Sequence, residues 1–306
     1  MRDVLYTKYN SLRKPEYQIS TSIFLDDGIR YVEKKAIHSS AVEHVANIAK
    51  NSERVQNLYK DIKVLMGKPE TGKITFPFLK GKSLLSDIDV KNDELEELVK
   101  KIKEILKKIH NYNLEYKVKF SMTEAFQNFF EGCEPAEEDA VTLANIDGIF
   151  GNFIEKEDGS IWCIDCEWVL DFPVPVRYME FRSLLYFYVD NYTHLGNRIG
   201  EKEFIALFGY SEEDMALYTA MEEAFQQHVH GENRKYIYTE NYKKTSATFQ
   251  SVVDQLYIAQ DQVRSMSAVI DEQQAYIEKI QRMMKNPLYA LQAVGQKVKE
   301  KITGDK

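Results

Sequence analysis

"LANIDGIFGNFIEKEDGSIWCIDCEW", residues 143–168, sets Asp147, Asn152 and Asp165 in a neighbourhood rich in Ile, Phe and Trp. Burying a carboxylate is costly unless it is paired or holds a cation. The turn pair Asp158-Gly159 divides the stretch into two short strands. Asp147 and Asn152 bracket the turn "GIFG", five residues apart, and Asp165 falls in the second strand, thirteen residues beyond Asn152. Two carboxylates and an amide in an apolar hairpin therefore raise the question of which cation they hold.

The chain before this stretch is organised in two parts. "YQISTSIFLDDGIRYVEKKAI" reads as two strands around Asp26-Asp27-Gly28, a strong hairpin signal. A helix follows, capped by Ser39 or Ser40, with Val42, Val45, Ile48 and Ala49 on one face. "IKVLMGKPETGKITFPFL" predicts a second hairpin turning at Pro69 to Gly72, which closes a β-β-α-β-β region at about residue 80. Beyond it "DELEELVKKIKEILKKIH" carries Leu95, Leu98, Val99, Ile102, Ile105, Leu106 and Ile109 at helical spacing. Ser121 and Glu124 form a capping box for the next helix, and helices continue from the hairpin to about residue 235.

Composition limits what such a chain does. A length of 306 residues allows two lobes, or one domain with an appendage. With 44% hydrophobic and 12% aromatic residues it is a packed globular protein rather than a disordered one. A net charge of -8 argues against non-specific nucleic-acid binding, so no nucleic-acid partner is expected. Cys163 and Cys166 form a CxxC, but only Cys133 remains and no second pair completes a zinc site; they read as buried strand thiols. His110, His194, His228 and His230 lack metal-ligand spacing and read as structural. The first ten residues have no apolar core of a secretory signal and no run is long enough to span a membrane, so a cytoplasmic protein is expected.

The last sixty residues differ in kind. From Phe249 through Val252, Leu256, Ala259, Val263, Met266, Ile270, Gln273, Ile277 and Ile280 to Met284, apolar steps of three and four alternate without a slip. That pattern predicts a coiled coil over 246–285 and a homo-oligomer held by it, with Gln273 as a register-setting polar residue. Asn286-Pro287 ends the coil. A short amphipathic helix over 286–306 then carries Leu288, Leu291, Val294, Val298 and Ile302 beside Lys297, Lys299 and Lys301. Its 288–302 face suits either the inner surface of a membrane or a protein partner such as a glycosyltransferase.

Asp147, Asn152 and "IDCE" at 164–167, in this order after the two-part N-terminal region, resemble the catalytic loop and metal aspartate of the protein-kinase-like superfamily. The likeness is to its aminoglycoside and choline kinase branch and covers residues 15 to about 190. It implies an α+β, two-lobed kinase-like fold with ATP and Mg2+ as cofactors. Asp147 would then orient the attacking hydroxyl, while Asn152 and Asp165 hold the metal. Phosphoryl transfer needs mostly positioning and charge neutralisation, and magnesium accepts a few hard oxygen ligands. The resemblance also implies a strand lysine, Lys34 or Lys35, on the nucleotide phosphates, with Glu43 as its helix partner. Val32 on the same strand face favours Lys34. "ITFPFLKGKSL" resembles the hinge, where backbone groups of Phe76, Phe78 and Leu79 would meet the adenine.

Three departures accompany the likeness. Asn145 and Ile146 precede Asp147 where the family has histidine or glycine. "NSLRKPEYQIS" replaces a glycine-rich phosphate loop, which leaves Arg13 or Lys14 to contact phosphates. Ile149 and Phe150 are apolar where relatives are polar. Arg177, Glu180 and Arg182 in the following segment suit either an acidic substrate or internal ion pairs.

That following segment, with the coil and terminal helix, resembles kinase domains of bacterial cell-surface polysaccharide synthesis. The domains expected are 1–80 (nucleotide lobe), 81–245 (helical lobe with the catalytic loop), 246–285 (coil) and 286–306 (terminal helix). The implied activity is ATP-dependent phosphorylation of a hydroxyl on a glycan or lipid-linked saccharide. A pseudokinase scaffold and a small-metabolite kinase of the choline or aminoglycoside type stand beside it, so the acceptor is either a glycan or a small molecule.

Overall fold

The computed structural model describes residues 2–231, together with residues 273, 274, 277, 278, 280 and 281. The chain divides into two compact units, Met1–Ser246 and Ala247–Lys306. In the second, the six described residues are helical and exposed. The rest of the expected coil at 246–285 and the terminal helix at 286–306 lie outside the described residues.

The first unit is α+β. It opens with strands β1 (Arg2–Tyr9), β2 (Ile19–Asp26) and β3 (Ile29–Ala36), then helix α1 (Val42–Arg54). The turn joining β2 to β3 holds Asp27 at φ 47° and Gly28 at φ 80°. Both residues with φ > 0 match the twist of the flanking strands, as the Asp-Gly signal requires. Neither Ser39 nor Ser40 caps α1: both sit in a single 3-10 turn that precedes it, and no side chain bonds the helix start.

Strands β4 (Ile62–Val64), β5 (Lys68–Glu70) and β6 (Lys73–Pro77) follow. Glu70 pairs with Lys73, so the hairpin turns on Thr71-Gly72, with Gly72 at φ 71°. The sheet order is β1-β2-β3-β6-β5, and α1 covers it through Val45 and Ile48. These two residues meet Ile19, Leu65, Ile74 and Phe76 in a small apolar cluster. The expected first hairpin strand, β4, belongs elsewhere.

Next come β7 (Lys82–Ser83), α2 (Leu95–Ile109), β8 (Lys117–Lys119), α3 (Glu124–Phe129), β9 (Asp139–Val141), β10 (Ala144–Asn145), β11 (Phe153–Glu155), β12 (Ile161–Cys163), β13 (Val169–Leu170) and β14 (Val174–Pro175). Helices α4 (Val176–Asp190), α5 (Tyr192–Leu195), α6 (Glu201–Ala206) and α7 (Glu212–His230) complete the described chain of this unit. Leu98, Ile102, Ile105, Leu106 and Ile109 bury one face of α2, as their period requires. The cap of α3 is Thr123, whose side chain accepts from the Phe126 amide, rather than Ser121.

β4 runs parallel to β12 in a four-stranded sheet ordered β4-β12-β11-β7. The chain thus leaves the first sheet after β6 and enters this second one at β7 through residues 78–81. Gly81 sits at the join. A Cβ there would lie 2.4 Å from Ile154 Cγ2 and 2.5 Å from the Glu155 carbonyl oxygen. A larger second apolar cluster, from Val55 to Val229, carries this sheet and helices α2, α4 and α7.

Candidate active site

Three local structures converge on one charged cluster. The loop after β10 carries Asp147, the 3-10 turn before β11 carries Asn152, and the loop after β12 carries Asp165 and Glu167. Short pairings hold these loops together. β10 pairs with β13, the Ile146 amide donates to the Trp168 carbonyl at 3.1 Å, and the Trp168 amide donates to Asp147 Oδ2 at 2.7 Å. Asn152 Nδ2 donates to the Asp147 carbonyl at 2.9 Å, and the Ile164 amide donates to the Asn152 carbonyl at 2.9 Å. The β11–β12 hairpin and the β10–β13 pairing therefore bring Asp147, Asn152 and Asp165 together despite their sequence spacing.

Asn145, two residues before Asp147, is the organiser that its residue type did not announce. It is 1% exposed. Its Nδ2 donates to the Asp165 carbonyl at 3.2 Å and to Tyr59 Oη at 3.2 Å, while Oδ1 accepts the Asp147 amide at 3.2 Å. A side chain with both donor and acceptor can brace two loops at once, which explains an amide here. The same Nδ2 approaches Cys163 and Cys166. Both are free, buried thiols, with sulfurs 3.8 Å apart.

Lys34, from β3, closes the cluster. Its Nζ donates to Asp165 Oδ1 and Oδ2, both at 2.6 Å, and to Glu167 Oε2 at 3.1 Å. Neighbouring Lys35 is exposed on the opposite strand face, so of the two lysines only Lys34 reaches the aspartates. Burial works against its charge, yet the carboxylates of Asp165 and Glu167 hold its pKa above the ordinary lysine value. At Asp147 the balance disfavours the charge instead. Burial first, then repulsion from Asp165 and Glu167, pushes its carboxyl up to about 7.

The expected Lys34–Glu43 pair does not form. Glu43 is exposed on α1, and the inward residue is the next one, His44, at 7% exposure. The carboxylate that meets Lys34 is Glu167, two residues beyond Asp165. Besides Lys34, Glu167 takes hydrogen bonds from Arg13 and from His44 Nε2, the latter at 2.9 Å. Its carbonyl accepts from Asn51 Nδ2 at 3.0 Å. Although burial opposes its charge, Arg13, Lys34 and His44 hold its carboxyl well below the usual range. The "IDCE" pattern contains this residue but gave it no partner, and helical phase decided which α1 side chain faces it.

The segment in the phosphate-loop position, residues 10–18, is anchored rather than open. The Lys14 amide donates to the Val229 carbonyl at 2.9 Å. His230 Nδ1 donates to the Leu12 carbonyl at 3.1 Å, and Tyr17 Oη is hydrogen-bonded to His228 Nε2 at 3.0 Å. Tyr17 also packs edge-on against Trp168, with ring centres 4.9 Å apart. Both histidines thus have structural partners, and Arg13, not Lys14, enters the charged cluster.

In the expected hinge, Phe76 is buried in the small apolar cluster opposite Val32. The Phe78 amide is already committed to the Arg30 carbonyl at 3.1 Å, so that donor is unavailable to an adenine; Leu79 is half-buried beyond it. Arg182 and Arg177 make internal ion pairs, with Glu222 at 2.5 Å and Asp214 at 3.1 Å. Arg182 also donates to the Ile146 carbonyl, bracing the residue before Asp147.

As a metal site, Asp165 and the Oδ1 of Asn152 are hard oxygen donors, which fits magnesium with ligands completed by phosphate and water. No three His, Cys, Asp or Glu side chains converge as a closed metal cage among the described residues. No helix among them is long and apolar enough to cross a membrane.

No protein-family profile and no curated protein matches the chain. Solved structures do. A thermostable mutant of aminoglycoside phosphotransferase APH(4)-Ia, in ternary complex with ADP and hygromycin B, has 12% identity and a TM-score of 0.43, over 74% of this chain and 86% of that one. Macrolide 2'-phosphotransferase MphH from Brachybacterium faecium has 12% identity and a TM-score of 0.37, over 79% and 90%. Choline kinase LicA from Streptococcus pneumoniae has 14% identity and a TM-score of 0.34, over 82% and 93%. With scores this low, the site's own side chains must decide its chemistry.

Proposed function

We propose that the chain is an ATP- and Mg2+-dependent phosphotransferase acting on a hydroxyl group, most specifically of a glycan or lipid-linked saccharide. The carrying observation is the cluster itself: Lys34 gripping Asp165 from the first sheet, with Asp147 and Asn152 on the adjoining loops. Phosphoryl transfer asks the protein for positioned charge, and this cluster supplies Lys34 and the carboxylates of Asp147 and Asp165 at one place, with Arg13 and Glu167 beside them. Lys34 positions the phosphates, and Glu167, Arg13 and His44 keep its neighbourhood rigid. Asp165 and Asn152 would hold Mg2+, which neutralises phosphate charge when bound. Asp147, raised towards neutrality and fixed by the Trp168 amide, orients the acceptor hydroxyl and takes its proton. The saccharide acceptor draws its support from the heptad pattern and basic amphipathic segment after residue 246, which suit an enzyme held near membrane-bound glycans.

The test is turnover of ATP with saccharide acceptors, compared with choline and aminoglycosides. Asp165→Asn should abolish Mg2+-dependent turnover, and Asp147→Asn should bind ATP yet lose transfer by a hundredfold or more. Wild-type rates in either variant would refute the assigned role. Transfer to choline or an aminoglycoside alone would replace the saccharide with a small metabolite.

A second reading is a pseudokinase scaffold. It is favoured by Arg13, which rests on Glu167 in place of an open glycine-rich loop. Nucleotide binding with no turnover on any acceptor would select it.

A further inference from the structure

Outside the charged cluster, α2 borders a cavity of about 410 Å³. Lys103 and Lys107 stand one turn apart on the same face of α2 and line it, joined by Lys117 from β8. None of the three lies within 4 Å of a carboxylate among the described residues. That is unlike Lys101 on the same helix, which pairs with Asp93 at 2.8 Å and Glu97 at 3.1 Å. Like charges left unpaired at this spacing repel one another.

His110 lines the same cavity. It is 8% exposed, and its Nε2 has no hydrogen-bond partner, the sole such buried side-chain atom among the described residues. Its Nδ1 lies 2.7 Å from Tyr112 Oη. Tyr112 Oη also donates to Met179 Sδ at 3.7 Å, and a buried ring nitrogen left without any partner is expensive. The one carboxylate in the lining is Glu180, whose charge burial disfavours. Phe208 and Tyr210 supply flat walls, and Lys103 Nζ sits 5.6 Å from the Phe208 ring centre.

We propose that this cavity is a second ligand site that takes a small phosphomonoester: a phosphate on a sugar- or nucleoside-sized ring. Three lysines match a phosphate dianion better than a single carboxylate, since a phosphomonoester carries about -1.5 to -2 charges at neutral pH. The volume falls in the roughly 300–1,000 Å³ range of small-molecule sites, more than a bare ion fills. The inference stands on the cavity's own residues and holds whether or not the chain is a phosphotransferase.

The test is calorimetric titration of the full chain, in phosphate-free buffer, with glucose 6-phosphate, uridine monophosphate, glucose, uridine and inorganic phosphate. At least one phosphomonoester should bind saturably, one per chain, and tighter than phosphate alone or its uncharged counterpart. The double substitution Lys103→Ala, Lys107→Ala should weaken it tenfold or more. Both residues are exposed, so the fold should survive, which the thermal midpoint checks. Lys108→Ala, an exposed lysine of α2 outside the cavity, should leave affinity unchanged. Absence of saturable binding to every probe, equal loss in the Lys108 control, or loss instead on Asp165→Asn would overturn the proposal.

Discussion

Replacing Glu167 by glutamine while separately replacing Glu43 by glutamine tests which carboxylate supports Lys34. Glu167 is 6% exposed and faces Arg13, Lys34 and His44 together. Removing one member of a buried ion pair costs about 3–5 kcal/mol, because the partner's charge stays buried and unpaired. Two features place this site at the lower end. Lys34 keeps both oxygens of Asp165, and the Arg13 side chain, 17% exposed, can turn towards water.

A loss of about 3 kcal/mol is therefore expected, a large part of a typical total of 5–15 kcal/mol. With an m-value near 3 kcal/mol per molar urea, the unfolding midpoint should fall by about 1 M. Glu43→Gln, on the exposed face of α1, should stay within about 0.5 kcal/mol of wild type. The same pair of variants reads out function: Glu167→Gln should raise the KM for ATP and Glu43→Gln should not. Equal midpoints for both variants, or a greater effect at Glu43, would refute the assignment of Glu167 as the lysine's second carboxylate.

Other expectations follow from the same geometry. Burial holds His110 at about 3 in the folded chain, against about 6.5 when unfolded. Its contribution is complete above pH 6.5 and shrinks as pH falls, because only the unfolded chain takes the proton. The loss at pH 5 is about 2 kcal/mol. Urea midpoints at pH 7 and pH 5 should converge in His110→Gln; an unchanged pH slope would count against it. Gly81→Ala forces a Cβ against the Glu155 carbonyl oxygen, a backbone atom that cannot swing aside. It should cost about 1–3 kcal/mol, visible as a lower Tm, and an unshifted Tm would show that the join between the sheets is loose.

Local pattern made much of the chain legible. The Asp27-Gly28 turn, the apolar face of α2 and the hairpin around Asp158-Gly159 each depend on neighbours within a few residues, where φ/ψ preference and periodicity act directly. Asn152 and Asp165 flank the β11–β12 hairpin, so their approach was locally readable, whereas Asp147 precedes the hairpin and is also held by the Trp168 amide. Lys34 could be separated from Lys35 by strand alternation with Val32.

Tertiary structure decided the rest. Strand β1 carries Val4, Leu5, Tyr6 and Tyr9 largely exposed at a sheet edge, so no alternating apolar signal marked it. β4 looked like half of a hairpin, but its partner is β12, nearly a hundred residues away. Glu43 and His44 are adjacent, and a 100° step around α1 determined which one met the cleft. Asn145 showed no periodicity at all, because its role is to join two loops through both ends of one amide. Short-range backbone preference writes itself into residue order; pairing across long loops and the phase of one helix against a distant loop depend on packing that no single window contains.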